Sequence, residues 1–493
     1  MELAKTNNVG HFIDNKFFEV DEKNSVGVID PRNNQLICLA SNATKEEVDR
    51  AVRVANLAFK EWSTTPAHRR AEILFSVGKE IEKDLENLSR IESINTGIPI
   101  SQCRGQIRRA AENFYFFGEM ATKITGRVYP KEPDFINYTE RMPVGVAALI
   151  TPWNTPLMLE TWKIAPCLAA GNTCILKPAE WTPLSANRLA ELIAKTDLSE
   201  GVFNVVHGIG EQAGSYLVSS PGVKLVSFTG ETETGKEIMR NGSSTLKRFS
   251  MELGGKNAAI VFEDANLEAA LDSVIFMAFS LNGERCTSNS RVLVQSTIYE
   301  KFVDMLLERV KRIKVGDPLD ENTELGPLVR KEHLERVLTY VEIGVKEGAN
   351  LAYGGKKHEA FSSGNYMYPT LFKDATQEMR IAREEVFGPV LVVEKFEKEE
   401  EAIEKANDVT YGLTGYIWTN SIRRAHLVAS KLEVGMVWIN SHNVRDLRTP
   451  FGGMKNSGIG REGGEYSFDF YTELKTVHIA LRNQRVQGFG VGG

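Results

Sequence analysis

The sequence predicts an α/β protein built from two doubly wound parallel-sheet domains, with two segments that belong to neither. Three observations carry this. From Val144 to Phe228, short apolar runs of strand length alternate with helix-length patterns. A second series of the same kind runs from Ala258 to Asn440. Two stretches, Arg127 to Arg141 and the tail after Thr476, fit neither series. Apolar strands alternating with helices imply a parallel sheet covered on both faces. The chain has 493 residues, 42% of them hydrophobic, which suffices for two or three domains.

The elements follow in order. Residues 45 to 125 read as helices, with apolar spacing at Val48, Val52, Ala55 and Phe59. Val144 to Ile150 is a strand, Leu157 to Ala170 a helix, and Thr173 to Leu176 the next strand. Pro183 opens another helix at a position where proline is tolerated. Val202 to Val206 and Lys224 to Phe228 are two more strands. Leu267 to Leu281 is an apolar helix that leads to a β-rich run at Arg291 to Gln295. Val390 to Val393 and Gly415 to Trp418 belong to the second sheet, and Phe135 to Tyr138 has β character.

Composition excludes several classes. The net charge is −6 and no basic cluster marks a nucleic-acid surface. The apolar runs are too short and interrupted to span a membrane. Met1 to Asn7 lacks the apolar core of a secretory signal, so the expected location is cytoplasmic. The five cysteines, Cys38, Cys103, Cys167, Cys174 and Cys286, are scattered without CxxC spacing. That argues against a disulfide framework and against a metal site. The eight histidines offer neither ligand spacing nor a triad.

The chemistry concentrates on Asn282-Gly283-Glu284-Arg285-Cys286-Thr287, which sets one cysteine in a small polar turn. A thiolate is a strong nucleophile, and a turn can present it to a substrate. Three other blocks accompany it: Pro152-Trp153-Asn154, Met251-Glu252-Leu253-Gly254-Gly255-Lys256, and Glu384-Glu385-Val386-Phe387-Gly388-Pro389. In this order the four blocks resemble the aldehyde dehydrogenase superfamily, over nearly the whole chain from Val28 to Thr476.

The resemblance implies NAD-dependent oxidation of an aldehyde. Cys286 would attack the carbonyl, and Asn154 with the Cys286 N–H would hold the oxyanion. Glu252 would be the base for thioester hydrolysis, with Lys163 close by. It also implies a division into an NAD-binding domain (1–126 and 142–253), a catalytic domain (254–473) and a β oligomerisation domain (127–141 and 474–493) that builds a homo-oligomer, a dimer of dimers. Cys286, Glu252 and Asn154 are all present, unlike in a silent structural member, and Glu252 favours water over coenzyme A as acyl acceptor.

For the cofactor, Phe228 to Gly235 follows a strand and opens a helix, the context of a phosphate cradle. Gly230 and Gly235 would hold the pyrophosphate of NAD, although Glu231 places a carboxylate beside it. The resemblance makes Lys177 and Glu180 ligands of the adenosine ribose, where a glutamate repels a 2′-phosphate and so favours NAD over NADP. Trp153, Leu253, Glu385 and Phe387 would line the nicotinamide end.

Asn443-Val444-Arg445-Asp446-Leu447-Arg448 and Gly460 to Phe468 resemble a narrower group, the muconic semialdehyde dehydrogenases of aromatic-ring breakdown. Their substrates, such as 5-carboxymethyl-2-hydroxymuconate and 2-hydroxymuconate semialdehyde, carry carboxylates that a guanidinium grips well. Arg448 and Arg104 are the expected readers of that charge, with Trp162 and Phe451 lining the funnel and Arg108 and Arg109 ranked lower. The rival is a general or betaine-type aldehyde dehydrogenase.

Overall fold

A computed structural model describes residues 8–484 and 488–490. The expectation for Met1 to Asn7, and 485–487 and 491–493 of the tail, lie outside the described residues.

An eight-stranded sheet forms the first half. Its parallel core runs Phe203–Val205, Thr173–Lys177, Val146–Ile150, Val223–Thr229, Arg248–Glu252. Strand order therefore reverses beside Val146–Ile150, and a crevice opens there at the carboxyl ends of the strands. Successive residues of that strand point to opposite faces. Ala147 and Leu149 enter one core cluster with Leu74, Phe114 and Phe117, and Val146 and Ala148 enter the other with Val48 and Val52. The helices Lys45–Trp62, Ala67–Lys83, Leu85–Thr96 and Ile100–Ala121 fill the predicted helical region. The first opens on a capping box between Thr44 and Glu47.

The second sheet has seven strands, in order Asn350–Tyr353, Thr370–Lys373, Val390–Phe396, Arg291–Gln295, Ala258–Val261, Thr414–Trp418, Met436–Ile439. All neighbours are parallel except the first pair. The chain passes from Glu252, at a carboxyl end of the first sheet, to Ala258, at an amino end of the second. Five residues reach at most about 18 Å. The carboxyl edge of one sheet thus faces the amino edge of the other, and the loops between them share one cleft.

Two details depart from the sequence reading. Gly458–Ile459, inside the 254–473 division, pairs antiparallel with Met251 and Glu252 and so extends the first sheet. The third β unit is a two-stranded ribbon, Phe135–Pro143 against Thr472–Ala480, starting and ending later than the 127–141 stretch. Its register pairs Thr472 with Pro143, so the ladder continues past both expected boundaries. Among the described residues, no helix is long and apolar enough to cross a membrane, and no His, Cys, Asp or Glu cluster could hold a metal.

Candidate active site

The Leu267–Phe279 helix ends two residues earlier than its apolar pattern suggests, and a tight reversal follows. Leu281 and Asn282 adopt left-handed backbone, φ 53° and 57°, and Gly283 follows at 71°. Asparagine and glycine tolerate this conformation; leucine is strained in it. The Asn282 side chain secures the turn, donating to the carbonyls of Gly97 and Pro327 and accepting from the Gly326 N–H. A Cβ on Gly283 would fall 2.4 Å from the Gly388 backbone. The reversal aims Cys286 into the cleft.

Cys286, Glu252, Asn154, Arg109, Arg445 and Phe451 line one pocket. Asn154 is buried and donates from Nδ2 to the Glu284 carbonyl at 2.9 Å, leaving its second N–H for a ligand. The Cys286 N–H donates to none of the described residues. Glu252 is buried, with Oε1 lacking a partner. Burial, then the neighbouring Glu462, holds its carboxyl well above the usual range. Burial, then the carboxylates of Glu385 and Glu252, pushes the Cys286 thiol up to about 12.

Lys163 is fully buried and bonds to Glu462 Oε1 at 2.7 Å and Ser227 Oγ at 2.9 Å. Its direct partner is therefore Glu462, a residue that sequence reasoning did not single out. The two lie 299 positions apart, and no local pattern joins them. Glu462 and Phe451 also pair through their backbones, at 2.6 and 2.8 Å, which ties the funnel wall to this acid.

The arginine expectations need correction. Arg448 is 80% exposed and forms a bidentate pair with Asp446. Arg104 is held by Glu86 and Glu321 on the surface. A local carboxylate has already satisfied each. Arg445 enters the pocket instead. Its guanidinium stacks between the rings of Trp162 (4.5 Å) and Phe451 (4.6 Å), and its buried Nε has no partner. Burial, then Arg109, pushes it down to about 10. Arg109 is half-buried, without a carboxylate partner among the described residues, and burial lowers it too. Trp162 is buried behind Arg445 and supports it rather than lining the Cys286 pocket.

The larger cleft next door, about 420 Å³, is lined by Trp153, Gly230, Leu253, Glu385 and Phe387 and reaches Cys286. It lies at the strand reversal, and the Thr232–Gly242 helix points its amino end into it. Glu231, at the N-cap, is exposed and makes no cap bond, so the first-turn N–H groups stay available to an anion. A Cβ on Gly235 would fall 2.7 Å from Leu253 Cδ2, so a larger residue here would make the Leu253 side chain shift. The Trp153 ring packs 5.2 Å from Phe387, 5.6 Å from Trp181 and 4.9 Å from His333. Glu385 accepts from the Gly255 N–H at 2.8 Å, and burial raises its carboxyl to about 7. Lys177 ends the Thr173–Lys177 strand and pairs at 3.1 Å with Glu180, which immediately precedes the cleft residue Trp181. An elongated cleft with a helix amino end and aromatic walls fits a dinucleotide.

Comparison with known proteins points the same way. The profile described as "Aldehyde dehydrogenase family" matches residues 17–477. The 5-carboxymethyl-2-hydroxymuconate semialdehyde dehydrogenase of Escherichia coli is 44% identical over 443 residues, covering 89% of this chain and 94% of that protein. The solved structure of HpcC from Thermus thermophilus is 50% identical with TM-score 0.96, covering 98% of this chain and 95% of its own. Betaine aldehyde dehydrogenase from Staphylococcus aureus, solved with NAD+, is 38% identical with TM-score 0.95, covering 98% and 97%.

Proposed function

The chain belongs to the aldehyde dehydrogenase family and is an NAD-dependent oxidoreductase, and from that premise we propose that it oxidises a carboxylate-bearing semialdehyde to the acid through a thioester on Cys286. The observation that carries the substrate class is Arg445, a cation with a buried unpartnered Nε in the pocket that holds Cys286. Burying a charge without a counter-ion is costly, and a substrate carboxylate supplies that counter-ion. Arg109 adds a second guanidinium on the same wall.

In this reading Trp153, Gly230, Gly235, Leu253, Glu385 and Phe387 hold NAD, with Lys177 and Glu180 toward the adenosine. When bound, NAD supplies the hydride acceptor. The Cys286 thiol gives up its proton to water, and the thiolate adds to the aldehyde carbon to form the alkoxide of a thiohemiacetal. The second N–H of Asn154 and the Cys286 N–H stabilise its oxyanion. Loss of hydride leaves a thioester. Glu252 then takes a proton from the attacking water, and Lys163 with Glu462 sets the charge that Glu252 meets. In domain terms, the first sheet with its helices and Gly458–Ile459 binds NAD, the second sheet carries Cys286, and the Phe135–Pro143 and Thr472–Ala480 ribbon builds the oligomer.

Arg445→Met tests the substrate class. A charge-assisted bond to a buried carboxylate contributes about 1.5–3 kcal/mol. The variant should lose about ten- to a hundredfold in kcat/KM for an anionic semialdehyde, at tenfold per 1.4 kcal/mol. A neutral aldehyde of similar size should change little, and Arg448→Met should leave both unchanged. Equal losses for both aldehydes would make Arg445 a structural prop. The rival substrate is a betaine-type aldehyde, whose cation the Arg445 and Arg109 guanidiniums at the pocket repel; an assay panel of anionic, neutral and cationic aldehydes decides between them.

The ribbon supports a homo-oligomer. An isolated two-stranded ribbon is marginal in water, and this one exposes Met142, Leu474 and Ile479. Light scattering is expected to give a multiple of the 54.9 kDa chain mass. A monomer at micromolar concentration would refute the assembly.

A further inference from the structure

The backbone of the Cys286 loop can be accounted for carbonyl by carbonyl. The Glu284 carbonyl accepts from Asn154 Nδ2 at 2.9 Å. The Arg285 carbonyl accepts from the Ser288 N–H at 3.1 Å. Those of Cys286 and Ser288 both accept from Asn257 Nδ2 at 2.7 Å, and that of Thr287 accepts from the Tyr416 hydroxyl at 2.6 Å. All five carbonyls are engaged, whereas the Cys286 N–H donates to none of the described residues. The Cys286 N–H shares its peptide plane with the Arg285 carbonyl, and the Ser288 N–H holds that carbonyl, so the direction of the Cys286 N–H follows the placement of Ser288.

Asn257 has the largest share of this. Its amide uses both N–H groups on the loop, and its Oδ1 accepts from the Thr414 N–H at 2.9 Å on the neighbouring strand. It is 3% exposed and sits one residue before the Ala258–Val261 strand, the first strand of the second sheet. Its backbone is thus anchored in the sheet, and its side chain carries that rigidity to the loop. A Cβ on Gly255 would stand 2.7 Å from the Cys286 carbonyl, so the two backbones pack directly.

We propose that Asn257 is a positioning residue for the oxyanion site: by holding the Cys286 and Ser288 carbonyls it places Ser288, whose N–H fixes the Arg285 carbonyl and with it the plane that aims the Cys286 N–H into the pocket. Tyr416 adds the bond between them. The proposal rests on the reading of Cys286 as nucleophile. Asn257 touches no substrate and acts only through the loop.

The experiment uses the full-length enzyme with NAD and an aldehyde it turns over. Asn257→Asp keeps the shape but replaces both donors with acceptors; Asn257→Ser and Tyr416→Phe remove fewer bonds and stand in if the aspartate variant fails to fold. A misaimed oxyanion donor costs part of the roughly 10²–10³-fold that losing one donor costs. Asn257→Asp should lower kcat by about 10- to 100-fold with KM within about twofold, and Tyr416→Phe by less. Alkylation of Cys286 by iodoacetamide is compared in Asn257→Ser, which adds no charge beside the thiol; alkylation forms no oxyanion, so its rate should stay within about twofold of the parent. In the Asn154→Ala background the same Asn257 change should cost clearly less, because both serve one site. Unchanged kcat, an equal fall in alkylation, or losses that multiply in the double variant would each overturn the proposal. If Cys286→Ala keeps its turnover, the nucleophile reading fails instead, and the two failures are distinguishable.

Discussion

Cys286→Ala is expected to abolish aldehyde oxidation, lowering kcat by at least about 10⁴-fold as loss of a covalent nucleophile does elsewhere. NAD binding should persist, because the cleft walls at Trp153, Gly230 and Phe387 do not depend on the thiol. NADH absorbance measures the first and quenching of tryptophan fluorescence the second. Turnover within an order of magnitude of the parent would sink the assignment. The same thiol carries a pH signature. Burial and the facing carboxylates push it up to about 12, so the resting enzyme holds almost no thiolate at neutral pH. Alkylation of Cys286 should therefore accelerate about tenfold per pH unit from neutral upward. A plateau near pH 7 would show that Arg285 and Arg445, which favour the thiolate, outweigh Glu385 and Glu252.

Glu252→Gln is the second large effect. General-base catalysis contributes about 10²–10⁴-fold, and the steady-state rate should fall within that range. Hydride transfer needs no base at this position, so a burst of NADH of about one equivalent per active site should precede slow turnover. A variant with the parent's steady-state rate would require another base. Only ionised Glu252 can take a proton from water, and burial with Glu462 raises its carboxyl well above the usual range. Hydrolysis should accordingly fall as pH drops through that raised value, at a higher pH than for an ordinary carboxylate. Stability follows with the opposite sign. Between the unfolded and the folded carboxyl values the folded protein binds more protons, so stability declines as pH rises through that window. Glu252→Gln removes the titration, and its thermal midpoint relative to the parent should increase with pH across it.

The α/β architecture and two of the main chemical blocks were legible because they rest on local signals. Strand-length apolar runs such as Val146–Ile150 and helices such as Leu267–Phe279 appear where hydrophobic period and length place them, within a few residues. Nearby chain connection explains why the turn after Phe228 faces the cleft and why Glu252 ends a strand beside it. The boundaries moved where long-range pairing extended an element, as in the ribbon that joins Thr472 to Pro143.

The arginines show the other side. Asn443 to Arg448 was the right segment, but Arg448 found Asp446 two residues away and turned to solvent, while Arg445 was stacked between Trp162 and Phe451. On the helix Ile100–Ala121, Arg104 faces Glu86 and Glu321, and Arg109 faces the pocket. Nothing in the spacing of arginines tells which will meet a carboxylate contributed from 217 positions away. Glu462 beside Lys163, and Asn257 beneath Cys286, were hidden for the same reason. The sequence by itself determined the fold class, the family resemblance and the nucleophile's turn, because hydrophobic period, turn chemistry and motif order are properties of neighbouring residues. Only the tertiary structure decided which charges stay unpaired in the pocket and which amides hold its loop, because both depend on which partners the folded chain brings within hydrogen-bonding distance.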